Sequence, residues 1–186
     1  MSALPNMSII APCDPLELQD AVWAIVRHPG PVYLRLGKAG EPNLTENVPE
    51  PFEFKKVRKI KEGDGGTCII GYGPILSMAF DAAEQQREKT GEAVAIYAAH
   101  TLKPLDKTGI GKILNSYKNV IVLEEQTSVG GLGGQVKQIA WDYQASCTVK
   151  TISLKDEFIH CYGTKSELLE AHGITVNAIM ENMAVK

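Results

Sequence analysis

The stretch SIIAPCDPLELQDAVWAIVRHPGPVYLRL, residues 8–36, reads as one strand–helix–strand unit. Ser8 to Ala11 is a short apolar run. Asp14 stands where a helix N-cap belongs. Pro15 takes the first helical position, where a missing N–H costs nothing, and Glu17 follows three residues after the cap. Leu18, Ala21, Val22 and Ile25 recur at helical spacing, so one face of this helix needs a sheet to lie on. Val32 to Leu36 supplies the next strand. Two strands and a helix cannot bury their own faces in water. The unit is therefore expected to be the end of a larger domain, in a protein whose activity depends on further parts.

Working outward, residues 41–61 read as a linker. They hold Pro42, Pro49 and Pro51, several glutamates and little apolar periodicity, and they end in the basic cluster Lys55 to Lys61, expected to be a solvated strand or linker face. From Gly63 the pattern alternates. Thr67 to Gly71, Ala93 to Ala98, Val120 to Leu123 and Thr148 to Leu154 read as strands, and Val120 to Leu123 is the β-branched kind buried on both sides. Gly73-Pro74 opens a helix that Gly91 ends, and Asp106 caps a helix with Ile110, Ile113, Leu114 and Tyr117 on one face. Another helix carries Val136, Ile139, Ala140 and Tyr143. Thr164 with Glu167 forms a capping box, and a last helix starts at Thr175. Strands alternating with helices across short loops imply an α/β fold: a mostly parallel open sheet with helices on both faces, preceded by a partial βαβ unit. The expected divisions are residues 1–40, the remnant of one domain, a linker over 41–61, and a self-sufficient domain over 62–186.

Bulk properties exclude several classes. With 22% charged residues and a formal net charge of -3 there is no basic stripe for nucleic acid. No apolar run reaches a membrane-spanning length, and Met1 to Asn6 lacks the pattern of a secretory signal. Cys13, Cys68, Cys147 and Cys161 have no metal-ligand spacing and are expected as free thiols in a cytoplasmic protein.

Candidate chemistry is sparse. Gly130-Gly131-Leu132-Gly133-Gly134 follows a strand and precedes a helix, the place of a phosphate-cradling loop, but lacks the G-x-G-x-x-G spacing and a Walker lysine. Glu124 and Glu125 are either an acid/base pair or, more in keeping with their place at a strand end, partners of nearby helix amides or of a neighbouring chain. His28, His100, His160 and His172 are scattered without a nucleophile or carboxylate at diagnostic spacing. Arg35 and Lys38 stand at the carboxyl end of the strand Val32 to Leu36, where open α/β sheets present anion-binding groups.

Several segments taken in order resemble the transketolase family. Ala3-Leu4-Pro5-Asn6-Met7 through Asp14 and Gly30-Pro31-Val32-Tyr33-Leu34-Arg35-Leu36-Gly37-Lys38 resemble the end of its pyrimidine-binding domain. His100-Thr101-Leu102-Lys103-Pro104-Leu105-Asp106, Val122-Leu123-Glu124-Glu125, Gly130-Gly131-Leu132-Gly133 and Phe158 through Gly173 resemble its C-terminal domain. The resemblance implies an enzyme dependent on thiamine diphosphate and magnesium that moves a two-carbon ketol unit between sugar phosphates. The parts that bind cofactor and metal are upstream in that family, so no catalytic, cofactor or metal residue is expected here. The chain alone is expected to be inactive, with no cofactor bound. Its partners would be a thiamine-binding domain or subunit and further copies of the enzyme, in a dimer. One substrate contact projects onto the chain: Lys38, for the sugar phosphate, where relatives typically carry arginine. Lysine neutralises phosphate without the bidentate fork. Gly63-Asp64-Gly65 matches a triplet that opens the metal segment of such enzymes, but no strand precedes it and no asparagine follows at the required distance; it reads as a turn. The alternatives are a non-catalytic assembly module, a 1-deoxyxylulose-5-phosphate synthase or a 2-oxoacid dehydrogenase β subunit.

Overall fold

A computed structural model of the chain describes residues 1–38 and 40–183. The opening unit is β1 (Ser8–Ile10), α1 (Pro15–Val26) and β2 (Val32–Leu34). Then come β3 (Arg58–Lys61), β4 (Thr67–Gly71), α2 (Leu76–Thr90), β5 (Ala95–Ala98), β6 (Thr101–Lys103) and α3 (Lys107–Ser116). The chain continues through β7 (Asn119–Thr127), α4 (Leu132–Asp142), β8 (Thr148–Leu154), α5 (Lys165–Ala171) and α6 (Val176–Met183).

Five strands form one sheet in the order β3-β5-β4-β7-β8, with β5, β4, β7 and β8 parallel and β3 antiparallel at the edge. Side chains alternate between two cores, as the two-residue period of a strand requires. Cys68, Ile70, Val120 and Val122 meet Ile110, Ile113 and Leu114 of α3 and Val136 and Ile139 of α4. Ile69, Ile96, Ile121 and Leu123 face the other way, onto Ala79, Ala82 and Ala83 of α2 and Ile179 and Met183 of α6. Each fully buried isoleucine or leucine contributes about 1.5–3 kcal/mol relative to exposure. Many such residues stand in this sheet and its helices, so it is here that apolar burial holds the fold.

The basic cluster expected as a solvated strand or linker face includes β3, a strand that is not solvated. Its residues Arg58 and Ile60 are buried and its two lysines half-buried. An ordinary two-residue period was hidden because one inward position carries a guanidinium.

β1 pairs parallel with β2 (Ser8 opposite Val32) and antiparallel with β6 (Ile10 opposite Thr101), giving a second sheet in the order β2-β1-β6. The apolar stripe of α1 is only partly covered: Ala21 is buried, while Val22, Trp23 and Val26 stand exposed. What ties α1 down is polar. Asp14 Oδ1 caps it by accepting from the Glu17 amide at 2.7 Å, and Oδ2 accepts from the Leu44 amide at 2.8 Å and the Thr45 amide at 2.6 Å. The Thr45 hydroxyl donates to the same oxygen at 2.8 Å. Glu17 Oε2 accepts from the Cys13 amide at 2.8 Å, its Oε1 lies 3.7 Å from Arg58 Nη1, and Arg58 Nε donates to the Glu50 carbonyl at 2.7 Å. These bonds connect the opening unit to residues 44–58 and so to the edge of the large sheet.

Candidate functional site

The four parallel strands run β5-β4-β7-β8 across the sheet, so the connections leave in opposite directions from β4 and β7. A crevice at that point, beyond the carboxyl ends, is where open α/β sheets take their ligands. β4 leads there into Tyr72 and Gly73, and β7 delivers Glu124 and Glu125. Arg35 enters from the end of β2, where its amide donates to the Ile10 carbonyl at 2.8 Å and prolongs the strand pairing. Its guanidinium lies 5.9 Å from the centre of the Tyr72 ring and 3.4 Å from Glu125 Oε2. The phenol of Tyr72 is pushed up to about 12, first by burial and then by Glu124.

Glu124 is fully buried, and its carboxylate belongs to the glycine-rich loop. Oε2 accepts from the Leu132 amide at 2.6 Å and Oε1 from the Gly133 amide at 2.9 Å, so a side chain from β7 caps α4. A Cβ at Gly131 would sit 2.3 Å from Glu124 Oε2, and one at Gly133 would sit 2.4 Å from Thr151 Cγ2. Gly131 and Gly133 carry no side chain because Glu124 and Thr151 occupy that space, and the amides of Leu132 and Gly133 are already bonded. Burial raises the Glu124 carboxyl, opposed by these two amides. Of the two expectations for Glu124 and Glu125, the service to helix amides is what the structure contains; Glu125 instead pairs with Arg35 and, at 3.5 Å, with Lys165 Nζ.

The GDG triplet turns from β3 into β4, so a strand does precede it, contrary to the charged linker expected there; the basic residues concealed the strand's period. A Cβ at Gly63 would meet Ala95 N at 2.3 Å, and one at Gly65 would meet the Glu92 side chain at 2.5 Å. Among the described residues no group of three or more His, Cys, Asp or Glu side chains is placed to hold a metal ion. Neither glycine-rich stretch fits a thiamine diphosphate–magnesium pair: one is filled by Glu124 and the other by the neighbouring turn.

Lys38 is exposed and lines a cleft of about 370 Å³. Pro74, Ile75 and Met78 form one wall and Lys165, Ser166 and Leu169 of α5 the other, while Glu41 brings a carboxylate. A second hollow of about 280 Å³ adjoins it through Lys38 and Glu41 and reaches Pro15 and Leu18 at the start of α1. The structure thus brings Lys38 to Lys165, which the sequence reading did not single out; nothing in the spacing marks Lys165, since it simply follows the cap Thr164.

The histidines are not brought together. The His28 ring lies 3.2 Å from the Ser8 hydroxyl and packs edge-on to Phe54, and His172 Nδ1 accepts from the Lys155 amide at 3.1 Å. His100, read from sequence as standing at the functional edge of the sheet, is fully buried. It stacks on Phe52 with ring centres 4.2 Å apart, with Nδ1 3.1 Å from the Thr101 hydroxyl. Burial, with Arg58 adding to it, pulls its imidazole down to about 3, so it stays neutral. Burial pushes the Glu17 carboxyl up to about 7 against the Cys13 amide and Arg58. The Cys13 and Cys68 thiols are buried and raised well above the ordinary range, which makes them poor nucleophiles.

Comparison with known proteins fits this architecture. The family profile "Transketolase, C-terminal domain" matches residues 55–179. The chain belongs to the transketolase C-terminal domain family. A transketolase family protein of Sinorhizobium fredii, y4mN, is 34% identical over 179 residues, which cover 95% of this chain and 51% of that protein. The 1-deoxy-D-xylulose-5-phosphate synthase of Oleidesulfovibrio alaskensis is 30% identical over 183 residues, covering 97% of this chain and 28% of the synthase. Among solved structures, a split-gene transketolase described as an inactive β4 tetramer superposes with a TM-score of 0.83 at 27% identity, covering 98% of this chain and 57% of that one. The chain therefore spans about half the length of the first relative and of the split-gene chain.

Proposed function

We propose that this chain is the C-terminal portion of an enzyme dependent on thiamine diphosphate and magnesium, which transfers a two-carbon ketol unit between phosphorylated sugars. The supporting observation is the extent of the structural match: at 98% coverage it takes in β1, α1 and β2 as well as the five-stranded sheet. On this reading residues 1–40 close a pyrimidine-binding domain and residues 62–186 form the C-terminal domain, which also takes in β3 from the end of the 41–61 segment expected to be a linker. Cofactor and metal are held by a separate thiamine-binding domain or subunit; in support, among the described residues neither glycine-rich stretch leaves room for them. The assembled enzyme is a cytoplasmic homo-oligomer; among the described residues no helix is long and apolar enough to cross a membrane. Lys38 contacts the substrate phosphate. Its place in a cleft, close to the end of β2, supports that role.

A second reading, part of a 1-deoxyxylulose-5-phosphate synthase, is favoured by the 30% identity to such an enzyme. The test uses the enzyme assembled with its thiamine-binding part. Xylulose 5-phosphate with ribose 5-phosphate is compared with pyruvate and glyceraldehyde 3-phosphate. Turnover of the first pair supports ketol transfer; turnover of only the second pair selects the synthase. A non-catalytic assembly role predicts neither.

A further inference from the structure

We propose that Lys165 is a second phosphate-binding cation, forming with Lys38 a two-lysine site for the phosphate group of a phosphorylated sugar; the proposal rests on the reading of Lys38 given above. The two residues are far apart in sequence, yet both line the same cleft, one from the segment after β2 and the other from the first turn of α5. A lysine is a point charge without a planar fork, so a phosphate dianion is matched by two of them better than by one.

The surroundings favour an incoming anion. Lys38 makes no ion pair among the described residues. Among the described residues Lys165 is bound only by the 3.5 Å contact to Glu125 Oε2, an oxygen that Arg35 also holds at 3.4 Å. Lys165 can therefore turn to a ligand without leaving Glu125 unpaired. Its backbone stays in place meanwhile, because the Thr164–Glu167 capping box fixes the start of α5 and Leu169 anchors the helix in the core. Pro74, Ile75, Met78 and Leu169 give the cleft apolar walls, while both lysines stay in reach of solvent, so the attraction falls with added salt. Among the described residues Glu41 is the one carboxylate lining the cleft, leaving it one positive charge in excess.

The experiment titrates the 186-residue chain with inorganic phosphate at low ionic strength, by calorimetry and phosphorus NMR, and repeats it with ribose 5-phosphate and ribose. Phosphate and ribose 5-phosphate are expected to bind and ribose not. Lys165→Ala and Lys38→Ala should each weaken phosphate about tenfold, Lys165→Arg should retain it, and Glu41→Gln should strengthen it. Lys112→Ala serves as a control for general surface charge and should leave it unchanged. Absence of phosphate binding, Lys165→Ala binding as tightly as the parent, or equal losses with Lys112→Ala would overturn the site. Binding that needs both lysines, in an assembled enzyme that moves no ketol unit, would keep the site and discard the proposed reaction. Ketol transfer with a KM for sugar phosphate indifferent to Lys165→Ala would do the reverse.

Discussion

Replacing Glu124 by glutamine separates a structural glycine loop from a phosphate-binding one. The carboxylate accepts two amide hydrogen bonds at 2.6 and 2.9 Å from the first turn of α4, and it is fully buried. A hydrogen bond to a charged group contributes about 1.5–3 kcal/mol, and a buried donor left without an acceptor costs about 1–3 kcal/mol. Glutamine keeps one acceptor and turns its amide group toward a backbone N–H, so one bond is lost and two donors oppose each other. Relief of the burial penalty that raises the Glu124 carboxyl offsets part of this. The expected net loss is about 2 kcal/mol, or about 4–8 °C in Tm for a chain of this size. Urea unfolding followed by circular dichroism, at an unchanged m value, measures it. Glu124→Ala should be worse and should recover stability with added formate or acetate, small carboxylates that fit the vacated space. Unchanged stability in Glu124→Gln, or stabilisation of the parent chain by pyrophosphate that Glu124→Gln abolishes, would refute the reasoning.

The buried pair of titrating groups gives opposed pH profiles. His100 is held near 3 against an ordinary value of 6.5, so its contribution is complete above pH 6.5 and is lost as pH falls toward 3. Glu17 is held near 7 against 4.5, so its contribution is complete below pH 4.5 and is lost as pH rises through 7. Unfolding free energy in His100→Asn should fall with rising pH between 4.5 and 7, by up to about 1.4 kcal/mol per pH unit, and in Glu17→Gln it should rise with pH below 6.5; identical profiles in both variants would contradict this. Gly133→Ala should destabilise by about 1–3 kcal/mol, because the new methyl meets Thr151 at 2.4 Å, and chemical denaturation reads it directly. Thiol titration of the native chain should modify the exposed Cys161 first, while Cys13 and Cys68 react only on unfolding. In the assembled enzyme Lys38→Ala should raise KM for phosphorylated sugars more than for unphosphorylated ones; equal effects would remove Lys38 from the phosphate site.

Local chemistry made much of the fold legible. Asp14 with Pro15 and Thr164 with Glu167 announce helix starts that the structure builds as written, because an N-cap acts within three residues of itself. The β-branched run Val120 to Leu123 marks a strand buried on both faces, which extends to Thr127 because pairing with β8 continues past the apolar part. One strand was read only as a solvated strand or linker face and another not at all, for different reasons. β3 hides its period behind Arg58, whose inward charge exists to face Glu17, and β6 is only three residues long and is a strand because β1 lies beside it. The site followed the same division. Lys38 could be named as a candidate from its place after a strand, and the role of Glu124 from its place at a strand end beside the glycine loop. Lys165 was invisible, since only the tertiary placement of α5 beside the start of α2 brings it to the cleft.

The most direct measurement of the central claim is a reconstitution. The purified chain, a chain carrying the thiamine-binding half, and their mixture are each supplied with thiamine diphosphate, magnesium, xylulose 5-phosphate and ribose 5-phosphate, and product sugars are quantified. Ketol transfer is predicted in the mixture alone. Turnover by this chain without its companion, or a mixture that associates and still transfers nothing, would contradict the account.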